Sequence, residues 1–308
     1  MWKYIGAAAA LKLFSCGTPA KRLYRFLGNV AGAHSRGNAP MPGYYLDRIK
    51  SKVDLCQKYD ILKDGDRVLE LGTGWVHWEA ITLKLFWDIE AVLYDVWDNR
   101  QFGAMKAFLR QVDQAITNGY SVQGMDMSRG GRIIQAVLET RSFEELYELL
   151  DFHYVVEPAG TLEVMEETPF RLIVSAGVFE HIYREILPGY IERWSKLLAP
   201  GGFAIHSINI TDHLAHYDPG VSLKQYLSYS ERRWKSFFEN DVQYINRLQR
   251  SEWLKMFAEA GLNVSEEQSE HVELGNLKIH KRYAGMDLQD LKCATLGFVL
   301  QKMGDKAI

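Results

Sequence analysis

Two stretches of the 308-residue sequence combine residue types that could do chemistry. The first is Gly72-Thr73-Gly74, which follows a turn cluster at Lys63-Asp64-Gly65-Asp66 and an apolar run of Val68, Leu69 and Leu71. Glycines on both sides of Thr73 let the backbone bend sharply and approach a ligand with no Cβ in the way. The next apolar run, Ala91-Val92-Leu93-Tyr94, ends in Asp95, 21 residues past Gly74. An acid at the tip of a second strand can accept hydrogen bonds from both hydroxyls of a ribose. His77 stands where a dinucleotide fingerprint would have its third glycine. A purely structural turn therefore stays open for the glycines, and a helix cap for Asp95. The second stretch, Asp212-His213-Leu214-Ala215-His216-Tyr217-Asp218, holds two imidazoles and two carboxylates within seven residues. Asp212 could fix the tautomer of an adjacent imidazole and so make a proton-abstracting dyad. The same donors suit zinc or iron, but with neither helical spacing nor a distant third ligand we assign no metal. A polar lid whose side chains bond to the backbone is the plainer alternative.

These residues need elements to hold them. Tyr45, Leu46, Ile49, Val53 and Cys56 recur at helical spacing and predict an amphipathic helix over 43–60. Phe102, Met105, Leu109, Val112 and Ile116 predict another, and Ser142-x-x-Glu145 reads as a capping box opening a helix through Leu150. Gly119 and the pair Gly130-Gly131 are the expected breaks. Strands are predicted at 152–156, 172–175, 203–210, from Leu262, and at 294–300. Helices are predicted over 190–198, stopped by Pro200-Gly201-Gly202, and over 251–260, closed by Gly261. Alternating strands and helices predict an α/β fold: a Rossmann-like, doubly wound, mostly parallel sheet of seven strands. Residues 1–42 read as a helical arm and 43–308 as the main domain, with the aromatic-rich segment 211–250 as a helical lid over the active site.

Four features in this order resemble a class I S-adenosylmethionine-dependent methyltransferase: Glu70-Leu71-Gly72-Thr73-Gly74 after a strand, the acid at Asp95, Ile173-Val174-Ser175-Ala176-Gly177-Val178-Phe179-Glu180-His181, and Leu197-Leu198-Ala199-Pro200-Gly201-Gly202. The resemblance covers residues 60–210. It implies S-adenosylmethionine as cofactor, leaving as S-adenosylhomocysteine, and cofactor contacts at Glu70, Gly72, Thr73, Gly74, Trp75, Asp95, Val96, Ser175 and Ala176. His181 then falls near the reacting methyl group, and it joins Asp212, His213 and His216 as a catalytic candidate. Where the family often places an acid for the adenine, Ala159-Gly160 stands here, leaving Glu157 or backbone groups. His77, Trp78 and Trp97 flank the cofactor loops and could meet the adenine or the sulfonium, or simply fill the core. The acceptor expected is a small molecule, with oxygen slightly favoured over nitrogen because a base dyad is in reach. A nicotinamide-dependent oxidoreductase shares the glycine turn and the acid, and a catalytically inactive scaffold shares the fold.

Composition narrows the partners. A net charge of −3 and a pI near 6.3 leave no general basic field, which disfavours nucleic acid. Three cysteines, at 16, 56 and 293, form no disulfide framework and point to a reducing compartment, with the cytoplasm expected. Lys12 interrupts the first apolar run and Phe14 is bulky where a cleavage site wants small residues. That run also falls short of the ~20 residues a membrane span requires. Trp2, Leu11, Leu13, Phe14 and the cations Lys21, Arg22 and Arg25 leave a peripheral membrane contact by the arm open. The oligomeric state is not legible.

Overall fold

The computed structural model describes residues 1–165 and 168–303; the expected domain end at 304–308 lies outside them. In chain order the elements begin with helices α1 (Trp2–Phe14), α2 (Thr18–Asn38) and α3 (Tyr44–Lys58), then β1 (Arg67–Leu71), α4 (Trp78–Lys84) and β2 (Glu90–Asp95). Helices α5 (Phe102–Thr117), α6 (Met127–Glu139) and α7 (Phe143–Leu150) lead into β3 (Phe152–Val156) and β4 (Phe170–Ala176). Then come α8 (Leu187–Leu197), β5 (Leu198–Asn209), α9 (Glu231–Phe237), α10 (Arg250–Glu259), β6 (Leu262–His271), α11 (Leu288–Lys292) and β7 (Cys293–Lys302).

The seven strands form one sheet in the order β3-β2-β1-β4-β5-β7-β6. This is the expected α/β architecture, a mixed sheet with helices on both sides. β1 pairs in parallel with both β2 and β4, with Leu71 level with Tyr94 and with Ser175. Parallel strands buried on both faces need continuous apolar runs, and Val68, Leu69, Leu71, Ala91, Leu93, Leu172, Ile173 and Val174 are all buried. The shared row places Gly72, Asp95 and Ser175 at the carboxyl ends of adjacent strands, where such sheets bind ligands.

Two local expectations are corrected. Gly130-Gly131 does not break the chain but lies inside α6. Asp126 caps that helix by accepting from Ser128 N at 2.9 Å, and Ile134 and Val137 bury its inner face. Together these outweigh the ~1 kcal/mol that each mid-helix glycine costs. Pro200-Gly201-Gly202 falls within the bounds of β5 rather than before them. A Cβ on Gly202 would stand 2.9 Å from the Ala199 carbonyl and 3.2 Å from those of Phe170 and Arg171, so only glycine lets the chain enter the sheet there.

The chain divides into two compact units. One holds Asn29–Ser175, Arg193–Ile205 and the residues from Gln301. The other holds Met1–Gly28, Ala176–Glu192 and His206–Leu300. In the second unit, Tyr4, Ala8 and Leu11 of α1 join Leu214, Tyr226, Tyr229, Trp234 and Phe238 in one buried cluster. The segment expected as a helical lid is mostly irregular there, with 3-10 turns at His213–Tyr217 and Gln225–Ser228 besides α9. Leu11 is therefore core rather than a membrane-facing residue, and Phe14 packs its ring 5.4 Å from Tyr24, while Trp2 and Leu13 are 87% and 71% exposed. Among the described residues no helix is long and apolar enough to cross a membrane.

The arm is fixed by polar contacts as well. Asp212, fully buried, accepts from the Tyr4 hydroxyl at 2.7 Å and from Leu214 N at 3.1 Å. The amino terminus of Met1 pairs with Asp218. Tyr4→Phe removes a donor from a buried carboxylate, which costs about 1–3 kcal/mol. A urea unfolding midpoint lowered accordingly is the expected result, and an unchanged midpoint would show that the Tyr4–Asp212 hydrogen bond adds nothing to the stability of this unit.

Candidate active site

In the unit that carries β1 and β2, the turn at Gly72–Trp75 is shaped by two left-handed glycines, Gly72 at φ 65° and Gly74 at φ 61°. Gly72 N and Thr73 N both donate to the Tyr94 carbonyl, at 2.8 and 3.1 Å, so the turn folds over the end of β2. Asp95, 6% exposed, closes the arrangement: Oδ2 accepts from Gly74 N at 2.9 Å and Oδ1 from Val96 N at 2.7 Å. Burial raises the pKa of its carboxyl, and the N–H groups of Gly74, Val96 and Trp97 oppose the shift. A carboxylate offers about four acceptor sites, so capacity remains for a ribose hydroxyl.

Glu70 sits behind this turn rather than on it. Its two oxygens accept from Glu79 N at 3.3 Å and Ala80 N at 3.0 Å, at the start of α4. Burial pushes its pKa up to about 8. Thr73 likewise faces inward, 2.7 Å from His77 Nδ1, whose Nε2 lies 2.9 Å from the Tyr147 hydroxyl. His77 is fully buried in a left-handed conformation at φ 50°, and burial lowers its pKa to about 3. It is a neutral strut, and Trp78, 4% exposed, is core; neither is placed to meet a ligand. Trp75 and Trp97 are 39% and 38% exposed. The Arg36 guanidinium of α2 lies 3.3 Å above the Trp75 ring and bonds to Gln101 Oε1 at 3.1 Å, a cover over the turn that no sequence motif announced. Glu157 is spent on its own turn, accepting from Thr161 Oγ1 at 2.7 Å, Leu162 N at 2.7 Å and the Tyr94 hydroxyl. Ser175 is buried and Val96 half-buried, and Gly160 leaves room for Val96, since a Cβ there would stand 3.1 Å from its Cγ1.

The other unit carries Ala176 and the histidines. Past Ala176, Gly177 N donates to the Ser207 carbonyl at 2.9 Å, and Phe179–His181 forms a 3-10 turn. A distant strap holds that turn. Asn246 N donates to the Glu180 carbonyl at 2.8 Å, and Asn246 Nδ2 donates to the carbonyls of Phe179 at 2.8 Å and Ile182 at 3.2 Å. His181 Nδ1 lies 2.7 Å from the Tyr244 carbonyl. A carbonyl only accepts, so Nδ1 carries the proton and Nε2 keeps its lone pair.

The structure brings His181 and His213 together, with ring centroids 5.1 Å apart, while His216 is exposed and 5.9 Å from His213. Burial, with His181 and His216 nearby, lowers the pKa of His213 to about 3. The expected Asp212–imidazole dyad is not formed. Asp212 is instead taken up by Tyr4 and Leu214, because the short turn that Asp212 caps points its carboxylate back into the core. Residues that sequence reasoning passed over are Tyr244 and Asn246 of the strap, and Glu180, named only as part of a motif. Beside the strap, a pocket of about 390 Å³ is lined in part by Tyr183, Tyr244, Asn246, Arg247 and Arg282. Arg247, at φ 57°, pairs with Glu231 at 2.8 Å and leaves Nε and Nη1 buried without partners.

Residues 43–267 match a protein family described as a methyltransferase domain. The chain belongs to this methyltransferase family. It is an enzyme, and its cofactor is S-adenosylmethionine, so the nicotinamide-dependent alternative is set aside. No curated protein matches the sequence. Among solved structures, an S-adenosylmethionine-dependent methyltransferase from Methanosarcina mazei shares 10% identity over 81% of this chain and 98% of its own, with a TM-score of 0.47. The cyclopropane synthase MmaA2 of Mycobacterium tuberculosis shares 14% over 82% and 83%, with a TM-score of 0.46. Phosphoethanolamine N-methyltransferase 2 of Haemonchus contortus, in complex with S-adenosyl-L-methionine, shares 12% over 82% and 52%, with a TM-score of 0.46.

The bare glycine turn and the spare capacity of Asp95 fit a nucleoside cofactor. Asp95→Ala is expected to weaken S-adenosylmethionine binding at least tenfold by calorimetry, since a ribose contact and the anchor of Gly74 go together. Unchanged affinity would remove Asp95 from the site. His77 makes a second prediction through pH. Folded His77 stays neutral down to about 3 while the unfolded residue takes up a proton below 6.5, so stability is lost as pH falls through that window. Between pH 6.5 and 5.5 the methyltransferase should lose about 1 kcal/mol more than a His77→Gln variant in urea unfolding. Equal losses would mean that His77 is protonated in the fold.

Proposed function

We propose that the enzyme transfers the methyl group of S-adenosylmethionine to a small-molecule acceptor, with oxygen slightly favoured over nitrogen. The observation that carries this reading is the pair His181 and His213, 5.1 Å apart, each with an Nε2 that no described residue uses. Bound in place, the cofactor supplies a methyl group already activated on a sulfonium, so the protein's tasks are to align, to exclude water and to manage a proton. The exposed imidazole of His181, with an open lone pair, suits the proton of a hydroxyl or ammonium, and His213, a weak base once buried, serves to position it. Support for a small acceptor comes from the pocket of about 390 Å³ beside the strap, within the range of small-molecule sites.

In this reading Gly72, Thr73, Gly74 and Trp75 give the backbone that borders the cofactor, Asp95 and Val96 serve the ribose end, and Ser175 and Ala176 serve the end of β4. Glu70 acts through α4, as a positioning residue. Residues 1–42 are the arm, 43–308 the catalytic domain and 211–250 its lid. The compartment is the cytoplasm, with peripheral membrane contact available to exposed Trp2 and Leu13.

The test is S-adenosylhomocysteine formation against a panel of phenols, hydroxy acids and amines. Turnover with one of these, and a fall of about 10²-fold in kcat for His213→Ala with cofactor affinity retained, is the expected outcome. A fully active His213→Ala enzyme, or methylation of RNA alone, would overturn the proposal.

A further inference from the structure

We infer that Glu180, His181 and His213 form a site for a divalent transition-metal ion. A carboxylate oxygen of Glu180 and one nitrogen from each imidazole lie within 4.8 Å of one another. Two imidazoles and a carboxylate are the donor set of zinc and non-haem iron sites that keep coordination positions open. Donors bound at ~2.1 Å in a tetrahedral site stand about 3.4 Å apart, so an ion would draw the most distant pair together by about an ångström or more. His181, the exposed member, has the freedom to supply that movement.

Independent of this proximity, the cluster has unspent capacity where it is most costly to leave it. Glu180 is 2% exposed, its Oε1 accepts from Asn209 N at 3.1 Å, and its Oε2 is buried with no partner. No lysine or arginine pairs with it among the described residues. His213 Nε2 is likewise buried and unpartnered. An isolated buried carboxylate is strongly disfavoured, and a cation is the group that would satisfy it while accepting both lone pairs. The third ligand is held by an outer contact: the Tyr244 carbonyl selects the Nδ1–H tautomer of neutral His181 and leaves Nε2 as its donor atom, the outer-shell contact that metal-bound histidines make. The strap Tyr244–Asn246 therefore orients two of the three ligands.

Charge points to the use of such an ion. One carboxylate and a divalent cation leave the site at +1, which an anionic oxygen at an open position would neutralise. A hydroxyl bound there loses its proton to solvent near neutral pH, and the resulting oxygen forms the new bond to the methyl carbon as the carbon–sulfur bond breaks. This catalytic role rests on the oxygen-acceptor reading above and takes the place of its imidazole base, since a nitrogen bound to an ion has no lone pair left for a proton; occupation of the site does not rest on that reading.

The experiment uses the full-length protein, stripped with a chelator and titrated with Co(II) while visible absorption is followed. One equivalent bound, displaced by Zn(II), is expected, with Glu180→Gln and His213→Gln each weakening binding at least tenfold. Cofactor binding, measured on the same samples, should persist in both variants and so separates loss of the site from loss of the fold or of the methyltransferase reading. His181→Asn, at an exposed position, gives the same comparison should either buried variant fail to fold. Co(II) affinity unaffected by the substitutions would overturn the site. Methyl transfer that survives chelation unchanged would overturn its catalytic use.

Discussion

A carboxylate taken out of water must be given donors, and this constraint shapes loops in each of the two units. Glu70 is supplied by the first N–H groups of α4, Asp95 by Gly74 and Val96, Glu157 by Thr161 and Leu162, and Asp212 by Leu214 together with the Tyr4 hydroxyl. Each pairing turns a desolvation penalty into a specification of backbone geometry, because the N–H groups reach the carboxylate in one conformation only. The glycine turn keeps its shape through Asp95 as much as through the freedom of its glycines. Remove the acids and the loops lose both their partners and their register.

Seen this way, the two histidine environments separate by what each nitrogen is given. His77 has both ring nitrogens engaged, by Thr73 and Tyr147, and so is a strut that joins the glycine turn to α7. His181 has one nitrogen held by the Tyr244 carbonyl and one left open, and His213 carries a buried nitrogen with nothing on it. All three are histidines near loops at strand ends. Only the accounting of their lone pairs distinguishes structure from chemistry.

What could be read from the sequence was what is local. The strand from Val68 to Leu71, the turn beyond it, the acid at Asp95 and the cap at Ser142 are each decided within a few residues, so their patterns survive in the one-dimensional record. Asp212 read as the carboxylate of an imidazole dyad, but its decisive partner, Tyr4, lies 208 residues away and carries no motif. The cluster of histidines in 212–218 suggested that His213 and His216 would act together, whereas a turn of 3-10 helix sends His216 to the surface and leaves His213 with His181. Gly130-Gly131 misled for the opposite reason: a local penalty was outweighed by a cap and a buried face.

The strap at 244–247 shows how the second unit holds its chemistry in place. Tyr244 and Asn246 make four hydrogen bonds with the Phe179–Ile182 turn, and the next residue, Arg247, adopts a left-handed conformation that costs a non-glycine residue about 1 kcal/mol or more. That strain is compensated by the ion pair with Glu231 and by the Trp234 ring 4.7 Å beneath the guanidinium. Neither partner lies in the Phe179–Ile182 turn: both belong to α9, which thereby anchors the end of the strap. The turn that carries His181 and Glu180 is thus held from residues more than 60 positions away, so the geometry of the cluster depends on the strap as well as on the turn itself.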